Sequence, residues 1–226
     1  MTQHSVRIWD LPTRIFHWVL AASVVALVVT AKIGGNAMEW HLRLGHGVLA
    51  LLVFRIVWGL IGGRWSRFTA FVYSPMRVLR YVRGTPHPQD SIGHSPLGAL
   101  SVFALLAVLV AQVSTGLLSD DEIAFAGPLT RFVSNAWVGQ ATWYHKEVGQ
   151  YLVLGLVGLH VLAILFYTLA RKQRLVGPML HGDKVLPALV APSRDDTISR
   201  AAAAVLLALS GLLAWWVSSL GNAAGF

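Results

Sequence analysis

At 226 residues the chain is 55% hydrophobic and only 12% charged, with a mean hydropathy of +0.61 and no cysteine. So low a charged fraction, about half the usual one, excludes an ordinary soluble globule. The missing thiol excludes an iron–sulfur cluster, a covalently attached c-type haem or a structural disulfide built from this chain alone. The net charge of +8 would point to nucleic acid in a soluble protein, but its placement along the chain assigns it to membrane topology instead, and no nucleic-acid partner is expected.

Five apolar stretches follow in chain order, at 15–33, 42–61, 97–118, 147–170 and 201–220, each near the ~20 residues that a membrane span needs. The first has His17 near its start, after Arg14. The second contains His46 and Arg55. The connection 62–96 holds Ser74-Pro75, a helix start with proline in the first turn. Arg77, Arg80 and Arg83 then alternate with Met76, Leu79 and Val82, which fits either a short basic amphipathic helix on an anionic leaflet or a solvated charged loop. After the third stretch, 119–144 carries the acidic run Asp120-Asp121-Glu122 and, at 128–132, the start of a small lid helix. His145 and His160 bracket the first half of the fourth stretch. Residues 185–198, with Pro187, Pro192 and Asp195-Asp196, read as a linker to the fifth. That last stretch has no histidine, offers Ala204, Ala208 and Gly211 as a small-residue packing face, and carries Trp215-Trp216 towards its outer end.

With the N-terminus placed in the cytoplasm, thirteen of the 18 Lys and Arg residues fall on the inner side and four on the outer, with Arg55 inside a span. The expected orientation is therefore N-terminus inside, in the cytoplasm, and C-terminus outside.

Histidines inside a bilayer are costly unless something compensates them, which makes them functional candidates. His145 and His160 are separated by about 22 Å of helix axis and a net turn of about 60° on a uniform α-helix. One helix thus offers a ligand near each membrane face. His17 begins an in-to-out span and shares the inner level with His160; His46 begins an out-to-in span and shares the outer level with His145. Two neutral imidazoles are what a low-spin b haem needs as axial ligands. The expected metal ligands are His17, His46, His145 and His160, paired His17/His160 and His46/His145 about two haem irons. Arg14 and Arg55 are the candidate propionate partners near them. His41 is set aside at the span edge, only five residues from His46, and His4, His87, His94 and His181 fall in loops.

The opening Trp9-Asp10-Leu11-Pro12-Thr13-Arg14-Ile15-Phe16-His17-Trp18 is similar to the start of the bacterial cytochrome b561 family, which includes the b-type subunits of nickel–iron hydrogenases. Further matches are His46 with Arg55 and Trp58-Gly59, Ser74-Pro75, Gly93-His94-Ser95-Pro96-Leu97-Gly98, Thr115-Gly116, His145, His160 and Met179-Leu180-His181-Gly182-Asp183-Lys184. The resemblance covers 6–184. It implies an all-α integral membrane protein, a four-helix transmembrane bundle holding two haem b groups, with a fifth C-terminal helix outside the pattern. The expected division is 1–184 as the di-haem core and 185–226 as linker and accessory helix.

The implied function is electron transfer between the quinone pool and a periplasmic redox partner, such as a c-type cytochrome or a hydrogenase, by an electron-transfer subunit and not a stand-alone enzyme. The alternative is a superoxide:quinone oxidoreductase, which calls for a cationic funnel, whereas the outer segments are net negative. A histidine-relay metal transporter fits ligands at two fixed depths poorly.

Overall fold

The computed structural model describes residues 3–222. In chain order the elements are β1 (His4–Arg7), α1 (Leu11–Ile33), α2 (Ala37–Ile61), α3 (Pro75–Val82), α4 (Pro96–Leu117), α5 (Asn135–Trp143), α6 (Gln150–Leu169), α7 (Val176–His181), β2 (Asp183–Leu186) and α8 (Thr197–Asn222). A π-helical turn, Tyr144–Gly149, joins α5 to α6. Five helices are long and apolar enough to cross a membrane: α1, α2, α4, the composite Asn135–Leu169 and α8. The chain is thus a multi-pass, all-α membrane protein, with a span at each of the five expected stretches.

Contacts divide the chain into two units. The first comprises the chain up to Phe16, Arg55–Leu105 and Leu156–Ala204; the second comprises His17–Phe54, Leu106–Gly155 and the chain from Val205 onward. Every span contributes to both.

The first unit is built around the start of α1. Asp10 caps it: its Oδ1 accepts the Thr13 backbone N–H at 2.8 Å, and Pro12 sits in the first turn, where it gives up no helical hydrogen bond. Asp10 is fully buried and has further donors. Ser66 Oγ donates to Oδ2 at 2.5 Å, Trp58 Nε1 to Oδ1 at 3.3 Å, and Thr13 Oγ1 donates to Ser66 at 2.8 Å. A buried carboxylate in an apolar helix bundle demands this many partners. The glycines here make room for these side chains: a Cβ on Gly63 would lie 2.4 Å from Asp10 Oδ2, and one on Gly59 would lie 2.2 Å from the Phe68 ring, so either would force its neighbour to move.

Beside this cap, β1 pairs antiparallel with β2, with His4 opposite Leu186 and Arg7 opposite Asp183. Val6, Ile8, Trp9 and Leu186 form a small buried core, against which Trp65, Ile92, Met179 and Val190 pack. Arg7 bridges Asp183 at 2.6 Å and Asp195 at 2.7 Å, and Asp195 also accepts from the Leu11 N–H and from Arg200. Ser193 donates its hydroxyl to the Ile8 carbonyl at 2.7 Å. The segment expected as a linker is therefore anchored along this ribbon, and the boundary expected at 184/185 runs through β2. Two four-residue strands carry too little alternation to be read from sequence.

α3 begins as the Ser74-Pro75 signal predicts, with Ser74 Oγ accepting the Arg77 N–H at 3.3 Å. In the second unit, Gly34 and Gly35 turn α1 into α2 with φ of +68° and +53°, values that favour glycine. Where a lid helix was expected, a single 3₁₀ turn forms at Thr130–Phe132. Arg131 donates from that turn to the Leu220 carbonyl at 3.1 Å. On α8 the buried small residues are Ser199, Ala203, Ser210 and Ala214, while the expected Ala204 and Ala208 are exposed. The helix has small residues on more than one face, and composition alone does not set the phase.

Candidate haem site

The best-defined site lies in the second unit around His145. The His41 and His145 rings lie edge-on to one another, at 6.1 Å between centroids and 89° between planes. His145 Nδ1 lies 2.9 Å from the Gln112 carbonyl and His41 Nδ1 lies 3.0 Å from the Leu27 carbonyl. A carbonyl only accepts, so in the neutral rings each Nδ1 carries the hydrogen and each Nε2 keeps a free lone pair. This is how proteins orient a ligating histidine: one nitrogen is fixed on a carbonyl and the other turned to the metal.

Several neighbours hold His145 in place. Gln112 brackets it twice, since its carbonyl takes Nδ1–H and its Nε2 donates to the His145 carbonyl at 3.0 Å. That carbonyl belongs to the π turn, a widened geometry that recurs at functional sites. Gly149 admits the Gln112 amide, because a Cβ there would fall 1.8 Å from its Oε1. A Cβ on Gly116 would fall 2.8 Å from His145 Cε1, so Thr115-Gly116 leaves room for the ring. By contrast, a Cβ on Gly45, Gly47, Gly155 or Gly158 would meet no protein atom within 4 Å, so these helix surfaces are flat.

The other expected residues are placed as follows. His46 is half-buried on α2; its ring bonds the Leu42 carbonyl of its own helix, and its Nε2 is buried with no hydrogen-bond partner among the described residues. His17 stands edge-on to Trp18 at 5.0 Å in the second unit. His160 is half-buried on α6, in the first unit. Arg14 donates Nη1 to the Leu180 carbonyl at 2.6 Å, and its Nε is buried and makes no hydrogen bond among the described residues. Arg55, only 3% exposed, donates Nη1 to the Ser66 carbonyl at 3.2 Å. Its guanidinium lies 4.7 Å from the Phe68 ring, and its charge interacts with Asp10.

The profile of the prokaryotic cytochrome b561 family matches residues 8–182. The chain belongs to this family. It is a membrane electron-transfer protein of the b-cytochrome type, for which the non-covalent cofactor is haem b. Among curated relatives, a probable Ni/Fe-hydrogenase B-type cytochrome subunit of Bradyrhizobium diazoefficiens is 24% identical over 216 residues, covering 80% of this chain and 86% of its own length. The protein with the same description from Cupriavidus necator is 26% identical, covering 77% and 85%. The probable Ni/Fe-hydrogenase 1 B-type cytochrome subunit of Escherichia coli K12 is 23% identical, covering 77% and 88%. No solved structure matches the chain. The family match ends at residue 182, before α8 begins.

The residues fit a b haem. With metal–nitrogen bonds near 2 Å on each side, two imidazoles on one iron have ring centres roughly 6 Å apart, as His41 and His145 do. His41, set aside at the span edge, has one sequence feature that His46 lacks. Gly45 lies four residues after His41, on the same helix face, whereas it neighbours His46 directly and so points elsewhere. Gln112, on a different span, has no such signal.

Proposed function

We propose that the chain is the membrane electron conduit of a larger redox assembly. It holds two b haems, one towards each membrane face, and connects the quinone pool to an external redox protein. Haem b, when bound, carries one electron at a time by cycling between ferric and ferrous iron. The chain's residues supply the ligands, fix their orientation and keep water from the metal.

The observation that carries the reading is the pair His41 and His145, 6.1 Å apart between ring centres, each with Nδ1 fixed on a carbonyl, which leaves Nε2 as the ligating nitrogen. We assign these two to the outer haem; His46, expected for that role from sequence, is the competing ligand, since its Nε2 is buried and makes no hydrogen bond among the described residues. For the inner haem we assign His17 and His160 from their matching depth on spans of opposite direction. Arg14 lies three residues before His17, on the same face of α1, and its unbonded Nε suits a propionate. Arg55 is committed to Asp10 and Ser66 and is left out of this role.

The names of the relatives make a nickel–iron hydrogenase the first candidate for the external partner, with a basic c-type cytochrome the second. Quinone is the partner within the membrane. The N-terminus-in orientation follows from the Lys and Arg distribution. The acidic turn Asp120-Asp121-Glu122 would repel superoxide, and this favours a protein partner over the oxidoreductase alternative.

The test is pyridine haemochrome quantitation with redox titration on the full chain and its His41→Ala, His46→Ala and His145→Ala variants. Two haems per chain, with one potential component missing in both His41→Ala and His145→Ala, is the expected result. A stoichiometry of one ends the di-haem reading. Loss of that component in His46→Ala, with His41→Ala intact, transfers the ligand role to His46.

A further inference from the structure

A basic recess of about 610 Å³ lies in the first unit, just beyond the end of α2, with Arg64, Arg67 and Arg77 reaching it and Trp65 in its wall. The three arginines are not equivalent. Arg77 is neutralised: its Nη2 lies 2.6 Å from Asp90, whose carboxylate is almost fully buried. Arg64 and Arg67 have no acidic partner among the described residues. The Arg64 guanidinium lies 5.7 Å from the Trp65 ring centre, and Trp65 is fixed in turn by its Nε1–H to the Ala191 carbonyl at 3.0 Å. Two unbalanced guanidinium forks therefore share one concavity, with Thr69 and Gln89 on its rim as neutral donors. That donor set matches the tetrahedral oxygens of a phosphate.

Depth decides which phosphate. The apolar surface of α2 ends at Leu60 and Ile61, 63% and 66% exposed, and Arg64 and Arg67 follow within the next few residues. The headgroup layer extends roughly 5–8 Å beyond each face of the hydrocarbon core, which is where these side chains fall. In the same unit Val72, Met76 and Val82 are each at least 60% exposed, beside Arg80 on α3 and Arg83 at its C-cap, the pattern of a helix lying in the membrane surface.

We propose that this recess binds the phosphate of an anionic membrane phospholipid, with Arg64 and Arg67 taking its oxygens. A lipid is favoured over a free phosphate because the recess opens at headgroup level, where acyl chains can cover the exposed apolar side chains of α3.

The full haem-loaded chain is stripped of native lipid in mild detergent and titrated with phosphatidylglycerol, phosphatidylcholine or inorganic phosphate, with bound lipid read by native mass spectrometry. Phosphatidylglycerol is expected to bind at least tenfold more tightly than phosphatidylcholine. The pair Arg64→Gln and Arg67→Gln together should abolish that preference, and Arg67→Gln alone should reduce it. Arg80→Gln with Arg83→Gln, outside the recess, should preserve it, and an unchanged haem spectrum certifies each variant as folded. The proposal is overturned if the Arg64/Arg67 variant keeps the preference, or if the Arg80/Arg83 variant loses it equally. Full displacement of the lipid by millimolar inorganic phosphate would make the recess a free-anion site and overturn the lipid assignment.

Discussion

Asp10, at the cap of one bilayer-length helix, and His145, within another, both bring polar side chains to apolar spans, and they do so in opposite ways. Asp10 is closed on itself. Its carboxylate oxygens take donors from Thr13, Trp58 and Ser66, Arg55 supplies the counter-charge, and the nearby Gly59 and Gly63 are backed directly by protein atoms. At His145 and His41 the hydrogen bonds among the described residues use Nδ1, and a Cβ added at Gly45 or Gly47 would meet no neighbouring element within 4 Å. A buried polar group in a membrane helix can thus hold the fold together or hold something else. The second nitrogen, and what an added methyl would meet, tell the two apart.

The strongest way to break this comparison is Asp10→Ala. It leaves a buried arginine without counter-charge and three donors without an acceptor, at a cost of roughly 3–5 kcal/mol. The variant should lose most of its thermal stability in detergent, with both haems affected together. A variant as stable as the parent would mean that the cluster is not what closes the first unit. Next in size, His145→Ala and His41→Ala should each drop the haem content from two to one while the apoprotein site remains inserted. The same loss of both haems seen with Asp10→Ala would erase the distinction between holding the fold and holding the cofactor.

A finer test concerns orientation without loss of ligand. Gly116→Ala presses on the His145 ring, and Gln112→Leu removes the side-chain half of its bracket while keeping the backbone carbonyl. Both should retain two haems and shift only one midpoint potential by tens of millivolts, about 60 mV for each tenfold change in relative affinity for the two oxidation states. An unmoved potential in both variants would show that the bracket is structural only. Truncation after Asp196 should leave haem content unchanged, since α8 carries no histidine; the cut is placed there because Leu186, Ser193 and Asp195 belong to the ribbon of the first unit.

The smallest expected effect is local. Asp121 accepts the backbone N–H groups of Phe125, Ala124 and Ile123, and these bonds hold its carboxyl below the usual carboxylate range. A depressed folded value means that the turn is supported above the ordinary carboxylate pKa, near 4, and loses that support as the pH falls through the lower folded value. Hydrogen exchange at those three amides should accelerate in that window and not between pH 6 and 8.

The five spans were legible because length and hydropathy are one-dimensional properties, and the opening motif was legible because it is continuous in sequence. Its physical meaning was not: Asp10 acts through Ser66 and Trp58, which only the fold brings to it. The choice between His41 and His46 was illegible for a related reason. Depth alone ranks His46 with His145 as well as it ranks His41, and the choice depends on which face of α2 turns towards Gln112 and Leu27. The estimated angle of about 60° between His145 and His160 also assumed a uniform α-helix. The π turn takes up about one extra residue, worth up to about 100° of rotation, and no residue type between 144 and 149 announces it.

The ribbon of β1 and β2 bears on timing. Arg7 and Asp183 are 176 positions apart, so at roughly 5–20 residues per second the ribosome needs about 10–35 s to deliver the second strand after the first. Over that interval Asp10 can already find Ser66 and Trp58, while the edge of β1 has nothing to pair with. Maturation of this chain therefore has a built-in order, in which the cap on the first span forms early and the clasp over it closes only after the fourth span has been made.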